Sequence, residues 1–341
     1  MKRFLIFLLF VAVAAGGALI WERVNFEAPG PSPTYKVVLV NPGDHVTTIA
    51  ARLEDAGVIA NAALFGAGVR LRGLQSRLKA GEYGFPARVS MADVADILVS
   101  GRSIQHKLTV AEGLTSRMIF ELVRADPALV GDPGEVPPEG SLLPETYLFT
   151  RGATRADILR RMNKAQETLL ASLWAARAPG LPYETPEQAV IMASIVEKET
   201  AIPAERRHIA AVFANRLRLG MKLQSDPTVI YDISEGYPLG RGIRESELER
   251  ASAHNTYVID GLPPTPICNP GKDSLEAVLH PADSKDLYFV ADGTGGHVFS
   301  ATVEEHEKNV AKWRAIENPA PPPPPPVSHH RRKLSKRRHA R

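Results

Sequence analysis

The sequence predicts an α+β protein carried behind an apolar N-terminal helix, and three observations lead there. At 341 residues the chain is longer than one hydrophobic core usually serves, so about two domains are expected. Short β-branched runs alternate with Gly-containing turns and amphipathic helices from Tyr35 to about 125. Hydrophobic residues make up 44% and charged residues 23%, the balance of a chain that folds rather than one that stays disordered. The net charge of +3 hides an asymmetry. Residues 331–341 hold seven Lys/Arg and no acid, so the remainder carries −4, which argues against a nucleic-acid partner. A single cysteine, Cys268, excludes an intrachain disulfide framework and a Cys-built zinc site.

Residues 1–3 are Met-Lys-Arg, and residues 4–21 begin with the uncharged run Phe4–Ile20 and close on Trp21. Seventeen helical residues rise about 26 Å, near the lower limit for a bilayer. Lys2 and Arg3 predict a cytoplasmic start and an exported body, with Trp21 at the interface. Ala12-Val13-Ala14 also fits a cleaved signal peptide, and both readings export the body of the chain. Residues 22–34, with three prolines, read as a linker.

Region 35–125 holds two related patterns. KVVLV, a turn at Asn41-Pro42-Gly43-Asp44, and HVTTIAARLEDAG form the first, with Ile49, Leu53 and Ala56 on one helical face. HKLTV, Ala111-Glu112-Gly113 and a helix from about Thr115 to Val123 form a looser second. Between them Ser90 caps a helix over 91–99, with Asp93 three residues on. Region 126–317 opens with a Pro/Gly/Asp-rich loop to about 140 and turns helical over 155–176. Residues 318–341, proline-rich and then basic, cannot bury a core and are expected to be disordered.

The chemistry concentrates between Thr185 and Gly220. Thr185-Pro186-Glu187-Gln188 forms a capping box with proline at the first helical position. That helix must end by about Ala201, because Pro203 disfavours helical geometry in Ile202. A second helix then runs from Pro203 to Gly220. At 100° per residue Ile191, Met192, Ile195 and Val196 share a face that includes Glu199, while Glu197 points towards solvent. Desolvation on that face and the negative pole of the helix both favour the neutral acid, the state a general acid needs. The competing reading pairs Glu199 with Arg206, Arg207 or Arg216. Downstream, Lys222–Tyr231, His254–Tyr257, Gly261–Pro264 and Ile267–Gly271 are polar, Pro/Gly-punctuated and poorly periodic. Amides, hydroxyls and tyrosine rings on stiff loops suit a sugar polymer. His208, His254, His280, His297 and His306 show no ligand spacing and read as surface or fold-internal.

Three stretches resemble the YceG-like family of bacterial endolytic murein transglycosylases: MASIVEKETAIPAERRHIAAVFANRLRLGMKLQSDPTVIYDI, HNTYVIDGLPPTPICNPG and LYFVADGTGGHVFS. The resemblance extends from the apolar segment to about Trp313. It implies an inner-membrane anchor over 4–21, a LysM-like α+β module region over 35–125, and a mixed α/β catalytic domain over 126–317 related in shape to lytic transglycosylases. It implies periplasmic cleavage of the MurNAc–GlcNAc β-1,4 bond of nascent glycan strands to 1,6-anhydro ends, which would end strand elongation. Peptidoglycan synthases are the expected companions, and no metal or cofactor is required. The second glutamate of EKET, Glu199, takes the catalytic position. Glu145 and Asp226 are candidate assistants, and Gln224, Asp226, Asn255 and Tyr257 candidate substrate-positioning residues. A hydrolytic muramidase using Asp226 or Glu145 as second carboxylate, and a non-catalytic wall-binding scaffold, remain as alternatives.

Overall fold

The computed structural model describes residues 2–317, so the Pro-rich basic tail of 318–341 lies outside the described residues, as does Met1. The chain opens with α1 (Lys2–Glu27). This helix runs further than the sequence indicates, through the first part of the expected linker, and Phe26 is buried. Phe26 lies so close over Gly68 that a Cβ there would sit 2.3 Å from its ring. Among the described residues no helix is long and apolar enough to cross a membrane. The side chains of Lys2, Ala15, Ala18 and Leu19 in α1 are outside that description.

The first globular unit comes next as β1 (Lys36–Val40), α2 (Val46–Asp55), α3 (Ala62–Leu71), β2 (Gly81–Phe85) and α4 (Met91–Ser100). β1 and β2 pair antiparallel, from Lys36↔Phe85 to Val40↔Gly81. Period-two burial of β2 and one apolar face on each helix enclose a core of Val38, Ile49, Leu53, Phe65, Tyr83, Val94 and Leu98, which Phe26 joins. Asn61 and Ser90 cap α3 and α4 through their side chains.

The second unit is β3 (Gln105–Thr109), α5 (Ser116–Ala125) and β4 (Thr146–Thr150), with the start of α6 (Arg155–Ala175). β3 pairs antiparallel with β4, and Leu108, Ile119, Val123, Leu142, Phe149, Ile158 and Met162 form one cluster. That cluster runs across the boundary at 125/126 suggested by the sequence, because the partner strand of β3 lies about forty residues downstream. Glu82 ties the two units together. His106 Nε2 lies 2.6 Å and Arg151 Nε 2.8 Å from its two carboxylate oxygens. Burial pushes this carboxyl up, but the two partners outweigh it and hold its pKa below the ordinary value.

The last unit is built on α7 (Pro186–Glu199), with α8 (Pro203–Arg218), α9 (Asp226–Ser234), the short α10 (Glu245–Leu248) and α11 (Lys272–Leu279). The hairpin of β5 (Tyr288–Ala291) and β6 (His297–Ser300) and then α12 (Val303–Glu317) complete it. α7 is the central element. Ala189 through Val196 are all buried, enclosed by α6, α8, α9 and α11, so the helix has no solvent face along that stretch. α9 corrects the reading of Lys222–Tyr231 as irregular: Ser225 is its N-cap and Pro227 stands within its first two positions.

Candidate active site

The capping box of α7 is formed as its sequence requires. Thr185 Oγ1 accepts from the Gln188 amide, and Gln188 Oε1 accepts from the Thr185 amide. Thr200 leaves the helix in extended geometry and Pro203 opens α8. Glu199 is therefore the last helical residue before a turn with few backbone options. It is half-buried, reachable from outside yet closely surrounded by protein. α9 meets it end-on. The Ser225 hydroxyl donates to Glu199 Oε1, and at this N-cap it makes no hydrogen bond into its own helix. A side chain that ordinarily closes a helix terminus is diverted to the carboxyl.

Burial is the largest influence on Glu199 and raises its pKa to about 7. The Ser225 hydrogen bond opposes burial, the charge of Asp226 reinforces it, and His297 and Arg216 oppose it more weakly. The carboxyl thus changes state near neutrality, where it can both give and take a proton. Asp226 Oδ1 accepts from the Tyr257 hydroxyl at 2.6 Å, and burial followed by that bond raises the phenol.

The charges of Asp226 and Glu199 and of Tyr257 and Glu199 act on one another, and Gln224 immediately precedes Ser225, whose hydroxyl bonds Glu199. Gln224 has φ +52, a left-handed conformation uncommon for its type. It is exposed, and its Oε1 accepts from Arg216 Nη1 at 3.3 Å. Asn255 is different. It is fully buried, its Nδ2 donates to the carbonyls of Glu247, Leu248 and Arg250, and its Oδ1 accepts from the Tyr257 amide. With its amide spent inside the loop, Asn255 holds Tyr257 in place rather than facing a substrate. Glu145 is not brought to Glu199 by any described contact. It is exposed, at the start of β4, and its charge acts on Glu112 and Tyr147.

The competing ion pair for Glu199 does not form among the described contacts. Arg207 donates to the His280 carbonyl. Arg216 is buried and donates to the carbonyls of Leu287, Lys222 and Leu223. Arg206 sits between Glu112, Glu197 and Asp273 at 3.5–3.8 Å. Glu197 is the main correction at this helix end: its side chain is 7% exposed and accepts from the Gly271 amide. The wheel fails because α7 is packed all round.

Three further residues surround the carboxyl. Ser225 lies in the stretch that reads as irregular from the sequence, so neither its cap position nor its bond to Glu199 is expected. His297, read as surface or fold-internal, donates its backbone amide to Glu205 Oε1 and pairs through Nδ1 with Glu205 Oε2 at 2.8 Å. Arg216 lies over the Tyr288 ring, 5.3 Å from its centroid. Arg216 stands among the candidate partners of Glu199 in the sequence, and His297 is signalled only by its place inside the third long motif.

A profile of the YceG-like family matches residues 38–312. The chain belongs to this family. Among curated relatives, the "Endolytic murein transglycosylase" of Bacillus subtilis (strain 168) is 38% identical over 183 residues, 53% of this chain and 49% of the relative. The protein of that name from Streptococcus pneumoniae serotype 2 is 28% identical over 365 residues, covering 91% of this chain and 65% of the relative. This YceG-like protein thus spans about half to two thirds of the length of the curated relatives it matches. The crystal structure of a YceG-like protein from Listeria monocytogenes is similar at a TM-score of 0.51 and 30% identity, over 81% of this chain and 99% of that one.

Proposed function

We propose that this YceG-like protein is a membrane-anchored endolytic murein transglycosylase with Glu199 as its single acid/base. The observation that carries this is a reachable carboxyl with a pKa of about 7, oriented by Ser225. Protonated Glu199 delivers its proton to the glycosidic oxygen as the bond from MurNAc C1 to that oxygen breaks. The resulting carboxylate takes the proton of the MurNAc C6 hydroxyl, whose oxygen bonds to C1 and closes the 1,6-anhydro ring. The nucleophile belongs to the substrate, so the second carboxylate of an ordinary glycosidase is not needed. Asp226, with Tyr257 fixed on it, keeps the acid protonated by charge, and Gln224 lies alongside for sugar hydroxyls. The names of the relatives support the substrate class.

The same reading gives α1 the role of anchor. Its uncharged run Phe4–Ile20 rises about 26 Å, and its C-terminal end, with Phe26, packs into the core of the first unit. The N-terminus would then be cytoplasmic and the body periplasmic. The strand–helix–helix–strand order of 36–85 supports a LysM-like glycan-binding module ahead of the catalytic unit, and synthases of nascent strands are the fitting companions. The test is digestion of purified glycan strands by wild type and Glu199→Gln, with products weighed by mass spectrometry. Anhydro ends that vanish in the variant are expected. Reducing ends would point to a muramidase, and uncut strands with wild type to a scaffold.

A further inference from the structure

Glu205 stands in the first turn of α8, and both of its carboxylate oxygens are taken by the start of β6. Oε1 accepts from the His297 backbone amide at 2.9 Å, and Oε2 lies 2.8 Å from His297 Nδ1. The Thr200 hydroxyl is a third donor, 3.4 Å from Oε2, and accepts in turn from the Ile202 amide at 3.0 Å. Thr200 is buried and follows Glu199 directly. One carboxylate therefore fastens the turn that leads out of α7, just past the acid, to the β5–β6 hairpin. Burial pushes Glu205 up, but the His297 hydrogen bonds outweigh it and hold its pKa below the ordinary value, so both oxygens act as acceptors. The two turns approach closely. A Cβ on Gly296 would fall 2.8 Å from Glu205 Oε1 and 3.7 Å from Ile202 Cδ1. On another side of the imidazole, Phe289 stands edge-on at 5.4 Å between ring centroids.

The charged groups that act on Glu199 pull in opposite directions. Burial and the charge of Asp226 on α9 favour the neutral acid, whereas the Ser225 bond and the charges of His297 on β6 and Arg216 on α8 favour the carboxylate. Acid/base work needs both states in succession, because Glu199 gives a proton and must then persist as a carboxylate until the C6 hydroxyl returns one. We propose that Glu205 and His297 are positioning residues for this acid/base: the pair clamps the 292–297 turn onto the turn after Glu199 and holds the imidazole where its charge steadies the carboxylate between the two proton transfers. This role rests on the peptidoglycan reading above, and neither residue touches the sugar in it.

The test is a carbon-13 titration of Glu199 in the glutamate-labelled full-length chain in detergent, beside pH–rate profiles of glycan cleavage, for His297→Gln, Glu205→Gln and Gly296→Ala. His297→Gln removes a charge that favours the carboxylate, so the midpoint should rise above the wild-type value of about 7. The alkaline limb of the rate profile should rise with it. Glu205→Gln sets an amide NH2 against one of three donors and frees the imidazole. Glu205 is not among the main influences on Glu199, so the same upward shift there passes through His297. Gly296→Ala pushes the turn off Glu205 without removing a titratable group and should shift the midpoint the same way, which decides the matter if another variant fails to fold. Each variant should also lose about 10–10²-fold in cleavage rate at its optimum, the scale of a displaced catalytic group. A midpoint that stays at about 7 or falls in His297→Gln overturns the proposal. So does a midpoint unmoved in Glu205→Gln and Gly296→Ala. The midpoint is read without glycan, so a failure to cut murein and a failure of this clamp are separate results.

Discussion

The unit over 36–100 and the unit built on α7 bury different things. In the first, each helix offers one apolar stripe, and the only buried polar side chain among its described residues is Ser90, at a helix cap. Around α7 the buried set includes Arg206, Arg216, Ser194, Ser225, Thr228, Asn255, Thr256 and Asn269. Most are satisfied by one another or by loop carbonyls. Thr256 Oγ1 accepts from the Ser225 amide at 2.9 Å and lies 2.9 Å from Thr228 Oγ1. A core of the first kind contributes stability and tolerates variation in its polar surface. The second kind costs desolvation but holds a carboxyl, a hydroxyl and a phenol in fixed relation, as acid/base work requires.

Substitutions can break or sharpen this contrast. Glu199→Gln should have the largest effect, a loss of about 10²–10⁴-fold in cleavage rate, with no loss of fold. Its stability relative to wild type should rise with pH. A carboxyl at about 7 in the folded chain against 4.5 unfolded gives stability that is whole below 4.5 and lost as pH rises through 7. The Gln variant should therefore gain on wild type across that window in urea titrations. Leu53→Ala, in the first unit, should do the opposite. It should cost about 2–5 kcal/mol in denaturant unfolding of residues 36–100 while rates on short glycan fragments stay near wild type. Glu197→Gln comes next. It weakens a buried contact to Arg206 and the Gly271 amide, so a stability loss of about 1–3 kcal/mol should appear in thermal melts, larger than for any exposed acid. Asp226→Asn should be the mildest. Removing a charge that raises Glu199 moves the alkaline limb of the rate profile to lower pH.

Local signals carry much of the fold. The ends of α7 and α8 follow from a capping box and two prolines, and the caps of α4 and α5 from Ser90 and Thr115. α3 is not legible, because AALFGAGVRL is small and Gly-containing and its helix closes only against Phe26 and the core. β2, GEYGF, carries two glycines and finds its partner more than forty residues upstream, a pairing no local pattern encodes. α9 looks irregular in sequence because it is short and weakly periodic, although Ser225, Asp226 and Pro227 are residue types that start helices. At the site, the partial burial of Glu199 is legible from the apolar spacing of α7, but the same spacing misplaces Glu197. A wheel assumes one wet side, and α7 has none over its buried stretch. Asn255 and Glu145 carry suitable chemistry, but hydrogen bonds inside a loop and a place near Glu112 take them out of the site.

The central claim is that one carboxyl at the end of α7 stays protonated close to neutral pH. Its most direct test is a carbon-13 NMR titration of glutamate-labelled protein, with the Glu199 resonance assigned by its loss in Glu199→Gln. A midpoint of about 7 is the result predicted. A midpoint at the ordinary 4.5 would leave no proton to give, and would contradict the mechanism built on it.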